Sequence, residues 1–164
     1  MKNFDWTQFT RKIAIKAPLN ALYDAWTIPA QIERWFLSDA TFYNSSDEKI
    51  DKNEHITPGS RYEWQWYLWD PTETGFVKEV NGTDHIQFKF AGECIVDVHL
   101  ESFKDNTIVS ISQREIPTTD EHKVNIHLGC DRGWSFYLVN LKSIYEGGID
   151  LRNKNSDLKP MLNT

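Results

Sequence analysis

The chain has 164 residues, of which 40% are hydrophobic and 26% are charged, and its formal net charge at pH 7 is −6. A chain of this size buries roughly 70% of its unfolded surface as one domain, and its acidic balance argues against binding to nucleic-acid phosphates. Since there is neither an apolar run of about 18 residues nor an apolar stretch in the N-terminal MKNFDWTQFTRK, we expect a cytoplasmic protein without a membrane segment or secretion signal.

The first part of the chain predicts one strand followed by two short helices. Residues 10–16 alternate polar and apolar side chains, as a half-buried strand does. Pro18 and Pro29 then each stand where a helix can begin, because the first helical position needs no backbone N–H. Apolar side chains follow both prolines at helical spacing: Leu19, Leu22, Tyr23 and Trp26 after the first, and Ile32, Trp35 and Phe36 after the second.

The middle of the chain predicts an antiparallel meander. Residues 40–43 form a short strand-like run, and residues 44–53 are polar and charged, as in a loop. Further strand-like runs are separated by turn signals, which favours strands joined by tight turns. The predicted strands are residues 60–69, 74–80, 85–90, 94–101 and 107–115, with turns at Asp70-Pro71, Asn81-Gly82, Ala91-Gly92 and Asp105-Asn106.

The last predicted element is a long amphipathic helix over residues 130–148. Its apolar stripe comprises Trp134, Leu138, Leu141 and Tyr145, and Phe136, Tyr137 and Ile144 widen it. Asp131 is the expected N-cap, and Gly147-Gly148 is the expected end. The prediction is one α+β domain over residues 1–164, with its core at about 10–150 and a polar tail at 153–164. In this helix-grip arrangement, a curved antiparallel sheet of six to seven strands surrounds the long C-terminal helix, with two short helices after the first strand.

Aromatic side chains are concentrated on the faces that this arrangement turns inward. The chain has 7 tryptophans, 6 tyrosines and 9 phenylalanines. They could line a cavity between sheet and helix, or pack a solid core. The candidate ligand-binding residues are Trp35, Tyr62, Trp64, Trp66, Phe76, Phe88, Phe90, Trp134, Leu138 and Leu141.

Several segments carry a family resemblance. They extend over about residues 11–150, and their order and spacing together are typical of one family. They are Ile15-Lys16-Ala17-Pro18, Leu22-Tyr23-Asp24-Ala25-Trp26, Ile32-Glu33-Arg34-Trp35-Phe36, Pro58-Gly59, Gly75-Phe76-Val77-Lys78-Glu79-Val80, Gly133-Trp134 and Asn140-Leu141-Lys142. The chain resembles the START-like, or Bet v 1-like (SRPBCC), superfamily, and within it the domain shared with activators of the Hsp90 ATPase (AHSA1). This resemblance implies a helix-grip fold with a hydrophobic cavity that binds lipids, hormones or polyketides. A few members are cyclases or hydrolases. We expect no room here for the separate Hsp90-binding domain of the eukaryotic activators.

Polar residues give no set that predicts catalysis. The five histidines lack zinc-like spacing, so no metal or cofactor is expected. Asp97 and His99 share one strand face, either as an acid–base pair or, by preference, as solvent-facing side chains. Glu63 and Arg114 are also expected to point outward. Cys94 and Cys130 are expected to be buried and reduced.

The expected function is therefore binding of a small hydrophobic or amphipathic ligand in a cavity. One alternative is a protein-interaction module of the Hsp90-activator type, and a weaker one is a cavity enzyme. Self-association as a dimer is a further expectation, since Trp6 and Trp69 could form an exposed aromatic surface.

Overall fold

One antiparallel sheet and one long helix organise the molecule, whose computed structural model describes residues 4–163. The seven strands follow the order β1-β7-β6-β5-β4-β3-β2. The strands are β1 (Phe9–Ile15), β2 (Asp39–Tyr43), β3 (Arg61–Trp66), β4 (Trp69–Val80), β5 (His85–Phe90), β6 (Cys94–Phe103) and β7 (Asn106–Arg114). The helices are α1 (Leu19–Thr27), α2 (Pro29–Trp35), α3 (Asp120–His122) and α4 (Gly129–Tyr145), with a π-helical segment, Lys123–Leu128, between the last two. The predicted α+β helix-grip class is confirmed.

Alternation along the central strands defines an inner and an outer face of the sheet. On β6, Val96, Val98 and Leu100 are buried, whereas His99 between them is exposed. On β7, every second side chain from Thr107 to Gln113 is buried in the same way. The apolar stripe of α4 covers this inner face, so the core lies between sheet and helix.

The predicted turn at Asp70-Pro71 is wrong. Strand β3 ends at Trp66, the chain reverses through Leu68 at a φ of 60°, and β4 already contains both residues of the predicted turn. The register between β3 and β4 shifts at this point, so that a bulge forms. A proline is tolerated there because the bulge leaves its position outside the regular ladder.

The C-terminal helical region begins earlier than predicted, and Asp131 is not its N-cap. The cap is Thr119, whose Oγ1 accepts a hydrogen bond from the backbone N–H of His122 at 3.3 Å. From α3 the backbone stays helical through the π-helical segment into α4, and Asp131 pairs with Arg11 at 2.6 Å. The hydrogen-bond spacing of a π-helix interrupts the 3.6-residue period, which explains why the pattern before α4 did not predict a helix.

The C-terminal segment fixes α2 against α4. The buried Arg152 donates hydrogen bonds to the carbonyl oxygens of Glu33, Arg34 and Leu37, at 2.9–3.0 Å, where α2 ends. The buried Asn140 of α4 donates to a further carbonyl of α2, that of Trp35, at 2.7 Å. The ordered core thus extends beyond the predicted limit at residue 150, while Thr164 of the predicted tail lies outside the described residues.

The N-terminal segment packs on the π-helical segment. Trp6, which was expected to be exposed, is half-buried, and its ring lies 5.2 Å from that of the buried His127. Its carbonyl oxygen lies 3.0 Å from Nδ1 of the same histidine. No helix within residues 4–163 has the length and apolar character needed to cross a membrane.

Candidate ligand-binding site

A pocket of about 270 Å³ lies at one end of the interface between sheet and helix. Its walls come from the C-terminal end of α2, the β3–β4 turn, the end of β5, the π-helical segment and the first half of α4. The lining residues are Phe36, Trp66, Trp69, Phe90, Asn125, Gly129, Cys130, Gly133, Trp134 and Tyr137.

Two glycines shape the helical wall. Gly129 and Gly133 are four residues apart and therefore lie one above the other on α4. A Cβ added at Gly133 would meet no atom within 4 Å, and at Gly129 the nearest atom would be the Val124 carbonyl oxygen at 3.8 Å. The missing side chains leave a notch in the helix surface, and this notch forms part of the pocket.

Aromatic rings form most of the remaining wall. The ring of Trp66 lies 5.5 Å from that of Phe36 and 5.2 Å from that of Trp69, in edge-to-face geometry. The Phe90 ring lies 5.2 Å from that of Trp134. Because Trp69 is 46% exposed, this end of the pocket reaches solvent.

The polar groups of the pocket are neutral at physiological pH. Burial raises the pKa of the Cys130 thiol and of the Tyr137 hydroxyl, in each case to about 12. The amide of Asn125 adds an uncharged donor and acceptor. Among the described residues, the lining includes no carboxylate, ammonium or guanidinium group.

The predicted candidates divide between pocket and core. Trp66, Phe90 and Trp134 line the pocket. Trp35, Tyr62, Trp64, Phe88, Leu138 and Leu141 are buried in the core instead. Their rings pack closely, as in the stacked pair of Tyr62 and Trp64 with centroids 3.9 Å apart. The pocket therefore lies at one end of the domain, and side chains fill the centre of the space between sheet and helix.

Phe76 was predicted to face inward, and this is wrong. The side chain is 39% exposed, pairs in register with the exposed Arg61, and lies with its ring 5.2 Å from Lys89 Nζ. The reason is its neighbour Gly75, at which a Cβ would overlap the hydroxyl of Tyr62. The tyrosine occupies the inner position, so the next side chain along β4 faces out.

Sequence reasoning missed seven of the lining residues. Phe36 and Tyr137 were assigned to apolar stripes, and Trp69 to an exposed surface, but none was assigned to the cavity. The i, i+4 glycines of α4 were the available signal, since two glycines inside a helix carry a stability cost that calls for a reason. The other two missed residues are Asn125 and Cys130.

Two buried indole N–H groups, those of Trp134 and Trp64, differ in whether they have a hydrogen-bond partner. Trp134 Nε1 donates to Oε1 of the fully buried Gln113 at 3.0 Å, which holds this pocket wall against β7. In contrast, Nε1 of Trp64 is buried without a hydrogen-bond partner among the described residues. A buried N–H of this kind is costly unless a water or a ligand accepts from it.

The predicted polar side chains lie on the outer face, as expected. Glu63 pairs with Arg61 at 2.7 Å, and His99 is exposed. Glu73, which the sequence did not single out, shares the inner face with its register partner Trp64. Burial raises the pKa of this carboxyl group, although the Ala91 N–H donates to it at 2.7 Å and partly opposes the shift.

Comparison with known proteins identifies the family. The family model described as "Activator of Hsp90 ATPase homolog 1-like protein" matches residues 16–146. The chain belongs to this family. The match extends from the end of β1 to the end of α4, and so includes all the walls of the pocket.

Solved structures share the fold of this family member. A Staphylococcus saprophyticus protein is 19% identical with a TM-score of 0.68, covering 88% of this chain and 96% of that one. The Aha1 dimer from Colwellia psychrerythraea is 19% identical with a TM-score of 0.65, covering 86% and 97%. DynU16, a putative protein in the dynemicin biosynthetic locus, is 18% identical with a TM-score of 0.68, covering 90% of this chain and 50% of that one. No curated protein matches significantly.

Proposed function

We propose that the protein binds a small, uncharged, predominantly apolar molecule in the pocket between the β3–β4 turn and α4. The observation that carries this proposal is the composition of the walls, which combine aromatic rings with two glycines and a neutral amide. Small-molecule sites in proteins are concave and mostly apolar, with a few polar groups that orient the ligand. At about 270 Å³, the pocket suits a ligand of one or two rings or a short acyl chain.

The orientation of such a ligand follows from where the polar atoms lie. The amide of Asn125 is exposed, so it would bind a hydroxyl or carbonyl oxygen near the pocket mouth. The rings of Phe36, Phe90 and Trp134 form the deeper wall and would contact the apolar part. An amphipathic molecule would therefore enter with its apolar end first.

Tryptophan fluorescence tests the proposal. Trp66, Trp69 and Trp134 line the pocket, so an apolar dye that enters it should change the protein's emission and become fluorescent itself. A panel of fatty alcohols and aromatic ketones would then be tested for displacement of the dye. A saturable signal at one site per chain is expected. Absence of any saturable change, with dye and panel alike, would contradict the proposal.

A second candidate function, a chaperone cofactor, is favoured by the family to which the chain belongs. The acidic net charge of −6 would suit a basic surface on a partner protein. The test is the ATPase rate of the host's Hsp90 with and without the protein. An accelerated rate would support this function, whereas an unchanged rate without co-purification would exclude it.

A further inference from the structure

A cluster of histidine and carboxylate groups lies on the outer face of the sheet, away from the pocket. It consists of His85 on β5, and of Asp97 and His99 on β6. One ligand atom of each residue lies within 4.8 Å of the others. We propose that these three side chains form a binding site for a divalent transition-metal ion such as Zn²⁺.

Strand pairing creates this arrangement. His85 lies directly opposite His99 in the antiparallel register of β5 and β6, and the two imidazole rings stack with centroids 4.2 Å apart and planes inclined by 9°. Asp97 is two residues before His99, so its side chain emerges on the same face. Sequence spacing alone could not reveal the cluster, because the two histidines come from different strands.

Two of the three ligand atoms are already close together. Nε2 of His85 lies 3.1 Å from Oδ1 of Asp97. A zinc ion binds imidazole nitrogen and carboxylate oxygen at about 2.0–2.2 Å, so an ion seated between these two atoms requires only a small rotation of each side chain. A ring nitrogen of His99 is the third ligand. Because an imidazole binds a metal ion in the plane of its ring, the exposed His99 ring turns out of its parallel stack with His85 when the ion binds. Water or another small ligand completes a tetrahedral site.

A fourth residue orients the first ligand. Oε1 of Glu79 lies 3.4 Å from Nδ1 of His85, on the opposite side of the ring from Asp97. Metal-binding histidines usually donate their second N–H to a carboxylate, which fixes the tautomer and leaves the other nitrogen free for the metal. With the proton on Nδ1, Nε2 of His85 is the metal ligand.

Two neighbouring side chains, Gln87 and Arg114, fix the position of the Asp97 carboxylate. Gln87 Nε2 donates to Oδ1 of this carboxylate at 2.6 Å. The Arg114 guanidinium is the neighbouring cation that opposes metal binding, and its Nε donates to the other carboxylate oxygen, Oδ2, at 3.2 Å. Oδ1 faces Nε2 of His85, so a bound ion would share this oxygen with the Gln87 amide.

Calorimetric titration of the full chain with Zn²⁺ tests this proposal. One ion per chain is expected, with affinity reduced roughly 100-fold or more in H85Q and in H99Q, and roughly 10-fold in E79Q. The matched control is H55Q, since His55 is an exposed histidine 3.5 Å from a single carboxylate, that of Asp24, and should not contribute. All four positions are partly or fully exposed, so the variants should fold, and circular dichroism checks this.

Two results would overturn the proposal. One is the absence of Zn²⁺ binding by the wild-type chain. The other is binding that persists in both H85Q and H99Q, as it would if the thiols of Cys94 or Cys130 held the ion. Imidazole NMR signals give an independent readout, because Zn²⁺ should shift those of His85 and His99 and leave those of His55 unchanged.

Discussion

Filling the helical notch at Gly133 should weaken ligand binding without destabilising the fold. The G133L substitution adds four carbon atoms to the pocket. If each takes roughly the 30 Å³ of a water molecule, they occupy on the order of 120 Å³ of the pocket's 270 Å³. We expect the affinity for an apolar dye to fall at least about tenfold, which corresponds to about 1.4 kcal/mol.

The same substitution should not weaken the fold. A Cβ at Gly133 meets no atom within 4 Å, and glycine inside a helix costs about 0.5–1 kcal/mol relative to alanine. G133A should therefore raise the free energy of unfolding by a similar amount while reducing dye affinity less than G133L does.

Dye titration and chemical denaturation of the same variants provide the two measurements. The matched control is R132L, which places a leucine at the adjacent, exposed position of α4. Unchanged dye affinity in G133L, in a variant that unfolds as cooperatively as wild type, would refute the assignment of the pocket. Equal losses of affinity in R132L and G133L would refute it as well.

Three further predictions concern the groups that support the pocket. R152M should lower the free energy of unfolding by about 3–5 kcal/mol, measured by denaturation, because it removes the buried donor to the carbonyl groups of Glu33, Arg34 and Leu37 and one of the donors to the Asp150 carboxylate. The control K154M removes a half-exposed partner of the same carboxylate and should cost less than about 1 kcal/mol. Equal effects of the two substitutions would contradict this account. Burial opposes ionisation of Asp150, but hydrogen bonds from Arg152 and Lys154 hold the pKa of this carboxyl group below its ordinary value of 3.8. The ionised group therefore stabilises the fold above pH 3.8, and this stabilisation is lost as the pH falls below 3.8. Between neutral pH and about pH 3, the melting temperature should fall less in D150N than in wild type. An equal fall in both proteins would be inconsistent with this. Finally, burial raises the pKa of the half-buried Cys130 thiol to about 12, so its alkylation at neutral pH should be roughly 100-fold or more slower in the folded protein than in denaturant, as measured by mass spectrometry. Similar rates would contradict the raised pKa.

Periodicity predicted the regular parts of this fold. The alternation in β5, β6 and β7 gave the correct faces, because a strand with one buried side has a period of two. Two interruptions of periodicity were not predictable in this way. The bulge around Pro71 depends on pairing between β3 and β4, and the π-helical segment breaks the helical period before α4.

The pocket was harder to predict than the fold because its walls come from five separate parts of the chain. A single strand pattern indicates that Trp64 and Trp66 share one face, but it cannot indicate that the first is packed in the core while the second borders a hollow. That difference depends on how far α2 and α4 reach along the sheet. The error at Phe76 has a similar origin, since the Tyr62 ring occupies the inner space beside Gly75.

Mapping the bound ligand by NMR tests the central claim most directly. An isotope-labelled chain would be titrated with the tightest-binding dye or acyl compound, and backbone and side-chain amide signals would be followed. The account predicts the largest shifts at the amides of Asn125, Gly129 and Gly133 and at the indole N–H of Trp66. Shifts confined to the outer face of the sheet, or spread evenly over the molecule, would contradict a binding site between the β3–β4 turn and α4.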